Sequence, residues 1–216
     1  MQIHMSLKEP KNQGLELDQE LLAKTIWERL NPSRWPFRLD DLPDNCVLVG
    51  GSVRDALINK SNARPDLDLV IADQAIALTQ QLSQKYGGSF IALDRTRDIG
   101  RLALNGWTID IAKQVGSNLT EDLKRRDFRI NAIALTLSSQ PKILDPLGGI
   151  GDLRKKMLVA ISEENLVDDP LRLLRGLRLM SQFNFVLDKQ TYHFFERHSS
   201  LLVSVAPERI QHEIKQ

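Results

Sequence analysis

The chain has 216 residues, of which 42% are hydrophobic and 26% are charged, and its formal net charge is +1. This length predicts one domain with a real core plus a smaller one, and the near-zero charge excludes nucleic-acid binding through bulk charge alone. Four histidines and a single cysteine, Cys46, exclude a disulfide framework and a Cys/His zinc cluster. Because no apolar stretch has the length of a membrane span or a signal peptide, we expect a cytoplasmic protein with no membrane contact.

The predicted elements divide the chain into three parts. Residues 1–45 form an N-terminal extension, residues 46–150 a mixed head and residues 151–216 a helical neck, so the predicted fold class is α+β. Leucine and isoleucine at helical spacing predict one amphipathic helix, 17–30, in the extension. The head elements are, in order, strand 46–49, helix 52–59, strand 67–71, helix 74–86, strands 89–93, 101–104 and 107–112, helix 120–137 and strand 143–144.

The neck shows no strong strand signal. Its predicted helices are 168–183, 189–197 and 207–215. Since no stop signal follows the last of them, we expect the natural protein to continue beyond it.

Two aspartates at the start of a buried strand are the first chemical signal. Asp66 and Asp68 are two apart and therefore face the same way along a strand. Two like charges repel unless a cation sits between them, and carboxylate oxygens suit magnesium. The alternative is a loop edge or a capping pair, which is the usual reading of a lone Asp-x-Asp.

A Gly-Gly pair precedes those aspartates. Gly50 and Gly51 stand between a strand and a helix, where backbone N–H groups can approach a phosphate. The alternative is an ordinary tight turn, because the segment matches neither standard glycine-rich phosphate-binding pattern.

Asp110 lies within the apolar run of a third strand. A carboxylate there needs a partner, so Asp110 is either a third acidic group near the metals, a general base for a hydroxyl, or an aspartate exposed at a strand end.

Two later segments place polar groups on predicted helices. Asp127 and Asn131 are four apart and would share one helix face beside Arg126, which is either a solvated face or a placed polar set on a partly buried helix. Further on, Asp169 and Arg172 would form either a salt bridge or a hydrogen-bonding edge. Such an edge fits cytosine or adenine, which donate from an amino group, and opposes uracil and guanine.

Taken together, these segments resemble a known family, the class II tRNA nucleotidyltransferases and poly(A) polymerases of the polymerase-β-like superfamily. The resemblance spans about residues 47–185. It is carried, in order, by Gly50-Gly51-x-Val53-Arg54-Asp55, Asp66-x-Asp68, Arg125-Arg126-Asp127-Phe128-x-x-Asn131-Ala132 and Asp169-Pro170-x-Arg172-x-x-Arg175.

The resemblance implies a polymerase-β-like head with a mixed or antiparallel sheet, followed by an all-helical neck that reads the base. It implies Mg²⁺ on Asp66 and Asp68, with Asp110 as a further catalytic residue. The implied nucleotide-binding set is Gly50, Gly51, Arg54, Arg126, Asp127, Asn131, Asp169, Arg172, Arg175 and Arg178.

The implied activity is template-independent addition of C or A from CTP or ATP to an RNA, with the tRNA 3′ end as the expected substrate. A poly(A) polymerase and a non-catalytic nucleotide- or RNA-binding module are the alternatives. Two departures stand out: Asp168 occupies a position where the family usually has Glu, and only residues 113–119 separate the Asp110 strand from the Arg-Arg-Asp segment. So short a connection predicts a pocket with a single setting, and thus addition of one kind of nucleotide. The family also usually carries further domains that grip tRNA.

Overall fold

A mixed β-sheet forms the centre of the head. In the computed structural model of the protein, residues 13–60 and 64–215 are described, and within them seven strands share one sheet. Numbered along the chain, these strands are β1 Val47–Val49, β2 Leu67–Ile71, β3 Ser89–Asp94, β4 Ile99–Leu104, β5 Trp107–Lys113, β6 Ala134–Thr136 and β7 Ile143–Leu144. Their spatial order is β3-β4-β5-β2-β1-β6-β7.

The pairing of the strands confirms the predicted α+β class. β2 and β5 are parallel, and every other neighbouring pair in this sheet is antiparallel. The β4–β5 hairpin turns at Asn105 and Gly106, whose φ angles are 52° and 79°. Two positive φ angles in a two-residue turn are what an Asn-Gly hairpin requires, so this sequence prediction is confirmed.

Helices frame the sheet and continue into the neck. In chain order they are α1 Gln13–Leu30, α2 Gly51–Leu57, α3 Ala75–Tyr86, α4 Leu119–Lys124, α5 Gly149–Lys155, α6 Glu163–Asp168, α7 Leu171–Phe183, α8 Lys189–His198 and α9 Pro207–Ile214. Short 3₁₀ turns lie at Pro32–Arg34, Leu39–Asp41, Arg129–Asn131 and Ser199–Ser204. Residues 1–12 of the predicted extension lie outside the described residues, and no described helix is long and apolar enough to cross a membrane.

Alternation along the strands gives the sheet two different faces. Leu67 and Leu69 of β2 belong to the main core, together with Ile26 of α1 and Leu82 of α3. The residues between them, such as Asp68, point to the opposite face. That second face has a smaller apolar cluster, which consists of Val47, Val49, Val70, Leu123, Ala132 and Ala134. The large core thus fixes the backbone, and the second face carries the chemistry.

The predicted helix over residues 120–137 is correct up to residue 124 and wrong beyond it. α4 ends at Lys124, a 3₁₀ turn follows at Arg129–Asn131, and β6 pairs with β1. Phe128 is extended and bridges Ala160 of the neck, while the Asp127 carboxylate accepts the Phe128 N–H at 2.7 Å. Side-chain bonds to nearby backbone compete with a helix, and pairing with a buried strand outweighs a helical apolar period.

The predicted helix over residues 168–183 is also interrupted. α6 ends at Asp168 and α7 begins at Leu171, with Asp169 at φ −137° and ψ 91° between them. A residue that precedes proline is disfavoured in the helical region, and Pro170 follows Asp169. The neck is otherwise helical apart from a two-residue parallel pair, Met157–Leu158 with Val186–Leu187. α5 crosses the predicted boundary at residue 150, and that division of domains stays a prediction.

Candidate active site

Three charged side chains form a row across the second face of the sheet. In the strand registers Arg101 of β4 lies opposite Asp110 of β5, and Asp110 lies beside Asp68 of β2. Directly paired residues point to the same face, so the three side chains are neighbours. Asp66 precedes β2 by one residue and shares the facing of Asp68, and it is exposed. The sheet therefore brings together the three aspartates that the sequence singled out.

Asp68 has the most perturbed environment in this row. Burial raises the pKa of Asp68 to about 6, and the negative charges of Asp110 and Asp66 add to the rise. The positive charge of Arg126 acts in the opposite direction. Crowded carboxylates with a raised pKa are typical of functional sites, since the fold holds like charges together against their repulsion.

Asp110 is held by a two-pronged ion pair. Arg101 donates from Nε to one Asp110 oxygen and from Nη2 to the other, both at 2.7 Å. Asp110 is therefore neither unpartnered nor at a strand end, since β5 continues to Lys113. Of the three roles that the sequence left open, the exposed strand-end aspartate is wrong.

The donor set suits a hard divalent cation. Within the described part of the chain, no group of three or more His, Cys, Asp or Glu side chains is arranged to hold a metal. Asp66 and Asp68 remain as a pair, since Asp110 faces Arg101. Magnesium is commonly bound by one or two carboxylates together with water and substrate phosphates, so two aspartates are sufficient protein ligands. A dication would also offset the burial and the neighbouring negative charges that together raise the pKa of Asp68.

The Gly-Gly turn lies directly against Asp68. Gly50 has φ 80° and ψ −141°, and a Cβ atom at this position would come within 2.8 Å of Asp68 Oδ2. Only glycine tolerates both the backbone angle and this close approach. The buried Ser52 Oγ in the same segment and Arg126 Nε have no hydrogen-bond partner among the described residues. Unsatisfied buried polar atoms cost about 1–3 kcal/mol each, and ligand oxygens would remove that cost.

Arg54 is turned into the protein. Its guanidinium donates to Asp55 at 2.7 Å and to Asn131 at 2.6 Å, and it stacks on the Phe183 ring at 4.8 Å. The side chain is buried. A direct contact between Arg54 and a nucleotide, which the family resemblance implies, requires these bonds to open, and this role stays a prediction.

A chain of polar contacts continues from Arg54 into the neck. Asn131 donates to the buried Asp127 at 3.0 Å, and Arg175 of α7 donates to the other Asp127 oxygen at 3.2 Å. Burial acts to raise the pKa of Asp127, but Arg175 and Asn131 outweigh it, so that the pKa falls below its usual value. The predicted contact of Asp127 with Asn131 is thus present, although it spans a turn and not a helix face.

The predicted pair of Asp169 and Arg172 is not formed. Both Asp169 oxygens accept from Nη2 of Arg209 in α9 at 3.2 Å. Arg172 donates from Nη1 to the backbone carbonyls of Arg125 at 3.0 Å and Asn165 at 2.9 Å, and burial lowers its pKa. The break at Pro170 removes Asp169 from α7 and explains why the two side chains diverge. They still begin next to each other, since the Arg172 N–H donates to the Asp169 carbonyl at 2.9 Å.

Two functional neighbours escaped the sequence analysis. Glu213 of α9 is buried and contacts Arg175 at 3.5 Å and Arg178 at 2.7 Å. No sequence signal reveals it, because α9 meets α7 only in the folded protein. Arg101 did have a signal: equal steps back and forward from the Asn105-Gly106 turn pair it with Asp110.

Comparisons with known proteins agree with this geometry. The family model of the poly(A) polymerase head domain matches residues 46–159. A CC-adding tRNA nucleotidyltransferase of Synechocystis sp. is 41% identical over 178 residues, which is 82% of this chain and 42% of that protein. An A-adding tRNA nucleotidyltransferase of Halalkalibacterium halodurans is 33% identical over 191 residues, which is 79% of this chain and 44% of that protein. The chain thus spans less than half the length of these relatives.

A solved structure shares the fold over most of the chain. The complex of a CCA-adding enzyme with CTP superposes with a TM-score of 0.74 at 28% identity, covering 89% of this chain and 49% of that one. The agreement extends from the head into the neck, since 89% exceeds the matched head alone. The chain belongs to the family of the poly(A) polymerase head domain and the tRNA nucleotidyltransferases, as its motifs indicated.

Proposed function

We propose that the protein is a template-independent, Mg²⁺-dependent RNA nucleotidyltransferase that adds C or A to the 3′ end of tRNA and releases pyrophosphate. The observation that carries this proposal is the row of carboxylates on the second sheet face, with Asp68 next to Gly50 and Asp110 beside it. The names of the relatives support tRNA as the substrate. Such a substrate favours the cytoplasmic location that the sequence led us to expect.

The residues of the head would hold the reacting groups. Asp66 and Asp68 would bind Mg²⁺, which when bound activates a hydroxyl and neutralises phosphate charge. The triphosphate would bind to the backbone N–H groups at Gly50 and Gly51 and to the guanidinium of Arg126. Arg126 Nε has no hydrogen-bond partner in the described structure and could donate to a phosphate oxygen. Asp110 would complete the acidic site once it is released from Arg101. In the reaction the 3′ hydroxyl would attack the α-phosphorus and pyrophosphate would leave. The protein would accelerate it by positioning the reacting groups and stabilising the charge that develops on the phosphate.

The neck would read the base. Asp169 offers acceptors and Arg172 offers donors, and each would exchange a protein partner for the base. Cytosine and adenine both match this edge, whereas uracil and guanine do not. Asn131, Asp127, Arg175 and Arg178 would keep the neck and the head in register through the chain of contacts that ends at Glu213.

The short connection between β5 and α4 supports a single nucleotide setting. The backbone N–H of Val115 donates to Asp122 at 3.0 Å, and that of Ser117 donates to Glu121 at 2.7 Å. Both carboxylates belong to α4, so the connection is tied at two points to the helix it leads into. A tied segment of this length cannot travel far to reshape the pocket, and we propose addition of C alone or A alone, with C favoured.

A poly(A) polymerase is the second candidate, because the matching family model is that of a poly(A) polymerase head. A non-catalytic binding module is disfavoured by the intact Asp66 and Asp68. Primer extension on tRNA with radiolabelled CTP and ATP, supplied separately, distinguishes the three. One or two added C residues, or a single A, support the proposal. Long A tails would favour the polymerase, and no extension with either nucleotide would favour the binding module.

A further inference from the structure

Arg101 stands at one end of the acidic row and is geometrically fixed on Asp110. Both N–H···O contacts measure 2.7 Å, and the two residues are direct partners in the β4–β5 ladder. Parallel two-pronged contacts between a guanidinium and a carboxylate are among the strongest ion pairs in proteins. Both oxygens of Asp110 are therefore engaged by this one arginine.

The positive charge of Arg101 interacts with all three aspartates of the row. Its hydrogen bond to Asp110 is the main reason that the pKa of Arg101 is raised, and the negative charges of Asp110, Asp66 and Asp68 add to it while burial opposes. Arg126 approaches Asp68 from the other side, beside Gly50. Arg101 is thus the cation that balances the acidic row on the β4 side.

The Arg101 side chain also has room to move away from Asp110. Its side chain is 40% exposed, whereas that of Asp110 is 23% exposed, so the arginine can turn into solvent while the aspartate stays in the sheet. In the described structure the three aspartates do not form a three-ligand metal group. The Arg101 guanidinium contacts both oxygens of Asp110, the carboxylate that would be the third ligand.

We infer that Arg101 is a built-in competitor of the metal: it neutralises Asp110 while the site is empty and must release it before Asp110 can join Asp66 and Asp68 around a divalent cation. This inference rests on the proposed metal-dependent function and extends it, because Arg101 then sets the concentration of divalent cation at which the site fills. Arg101 acts through Asp110 and is a positioning residue, with no contact to the nucleotide.

The test is a titration of the protein with Mn²⁺ in the absence of RNA and nucleotide. Electron paramagnetic resonance measures the concentration of free Mn²⁺ at each step. Arg101→Gln removes both the competition and the repulsion between Arg101 and the metal. We expect it to tighten Mn²⁺ binding by about three- to tenfold. Arg101→Lys keeps the charge but loses the fork, and its affinity should lie between those of Arg101→Gln and the wild type. Arg97→Gln is the matched control, since Arg97 forms its ion pair with the peripheral Asp94 at 3.5 Å, and it should leave the affinity unchanged.

A double-mutant cycle separates this role from general support of the fold. In an Asp110→Asn background Arg101 has no carboxylate to withhold and only its repulsion of the metal remains, so Arg101→Gln should produce a smaller change there. The inference is overturned if Arg101→Gln binds Mn²⁺ as the wild type does or more weakly, or if its effect is undiminished in the Asp110→Asn background. It is also overturned if Arg101→Gln weakens binding of CTP and leaves Mn²⁺ binding unchanged, since Arg101 would then be a nucleotide ligand.

The same titration distinguishes failure of the inference from failure of the proposed function. If wild-type binding is saturable and is lost in Asp66→Ala/Asp68→Ala, the metal site stands whatever Arg101 does. If the wild type shows no saturable binding, the metal site is overturned and this inference with it. Thermal unfolding of each variant verifies that it is folded, and Arg101→Lys provides the comparison should Arg101→Gln not fold.

Discussion

The substitution Asp68→Asn should stabilise the metal-free protein, although it removes a residue that we propose to be essential. In the folded protein the pKa of Asp68 is raised from 3.8 to about 6, chiefly by burial. Because the folded pKa is the higher one, the stabilisation associated with the bound proton is fully present below about pH 4 and is lost as the pH rises through 6. At pH 8 the ionised carboxylate is therefore a burden on the folded state, and asparagine lacks that charge.

The rise in the pKa of Asp68 sets the size of the expected gain in stability. A rise of about two units corresponds to about 3 kcal/mol at 1.36 kcal/mol per unit. Asp68 keeps part of its surface accessible, which reduces the estimate, so we expect the free energy of unfolding to rise by about 1–3 kcal/mol at pH 8. The gain should fall by about half at pH 5, where the wild-type carboxyl is mostly protonated in the folded state.

Urea unfolding in EDTA at pH 8 and pH 5 measures both quantities. Asp110→Asn is the matched control on the neighbouring strand, and it should not stabilise, because it leaves Arg101 without its partner. Added Mg²⁺ at pH 8 should stabilise the wild type and not Asp68→Asn, since only a state that binds the cation gains from it. The burial cost assigned to the Asp68 carboxylate would be contradicted by an Asp68→Asn variant that is no more stable than the wild type at pH 8, or by a stability difference that does not change with pH.

Four further outcomes test the neck, Arg54 and the connection between β5 and α4. Asp169→Ala should reduce discrimination against UTP and GTP by about 1–3 kcal/mol in a competition of four nucleotides, whereas unchanged selectivity would leave Asp169 as only the partner of Arg209. Arg54→Ala should weaken all nucleotides alike, because phosphate and sugar carry no base information; a base-dependent loss in binding assays would contradict this. A tRNA that lacks its last three nucleotides, given CTP and ATP together, should not acquire the complete C-C-A end, and a product with that end would refute the single-setting pocket. Glu213→Gln should lower the free energy of unfolding by about 2–4 kcal/mol, since two arginines lose their shared buried carboxylate, and an unchanged urea midpoint would contradict it.

Local signals were sufficient to predict most of the head. The apolar run around Leu69 predicted β2 with the observed bounds, Leu67–Ile71, and the Asn105-Gly106 turn predicted the hairpin beside it. The alternation of Asp66 and Asp68 with leucines predicted their common facing. These features depend on neighbours within a few residues, which is why sequence reasoning found them.

The errors arose where distant segments decide the structure. β6 is a strand because β1 lies beside it, and Phe128 is extended because it pairs with Ala160 of the neck. Neither partner is visible in the helical spacing of residues 120–137. The break before α7 is a different case, because it has a local signal. Pro170 disfavours a helical conformation at Asp169, which indicates that α6 and α7 are separate helices. Glu213 could not be foreseen, because it reaches Arg175 only through the packing of α9 on α7.

The decisive measurement is extension of two tRNAs by the wild type and by Asp66→Ala/Asp68→Ala. One tRNA lacks its three terminal nucleotides and is given radiolabelled CTP, and the other lacks only the terminal A and is given radiolabelled ATP. We expect the wild type to extend one of the two tRNAs, to do so only when Mg²⁺ is present, and to release one pyrophosphate per addition. We expect the double variant to remain folded and to extend neither. The proposed metal site and its mechanism would be contradicted if the folded double variant incorporated nucleotide at the wild-type rate, or if the wild type did so in excess EDTA.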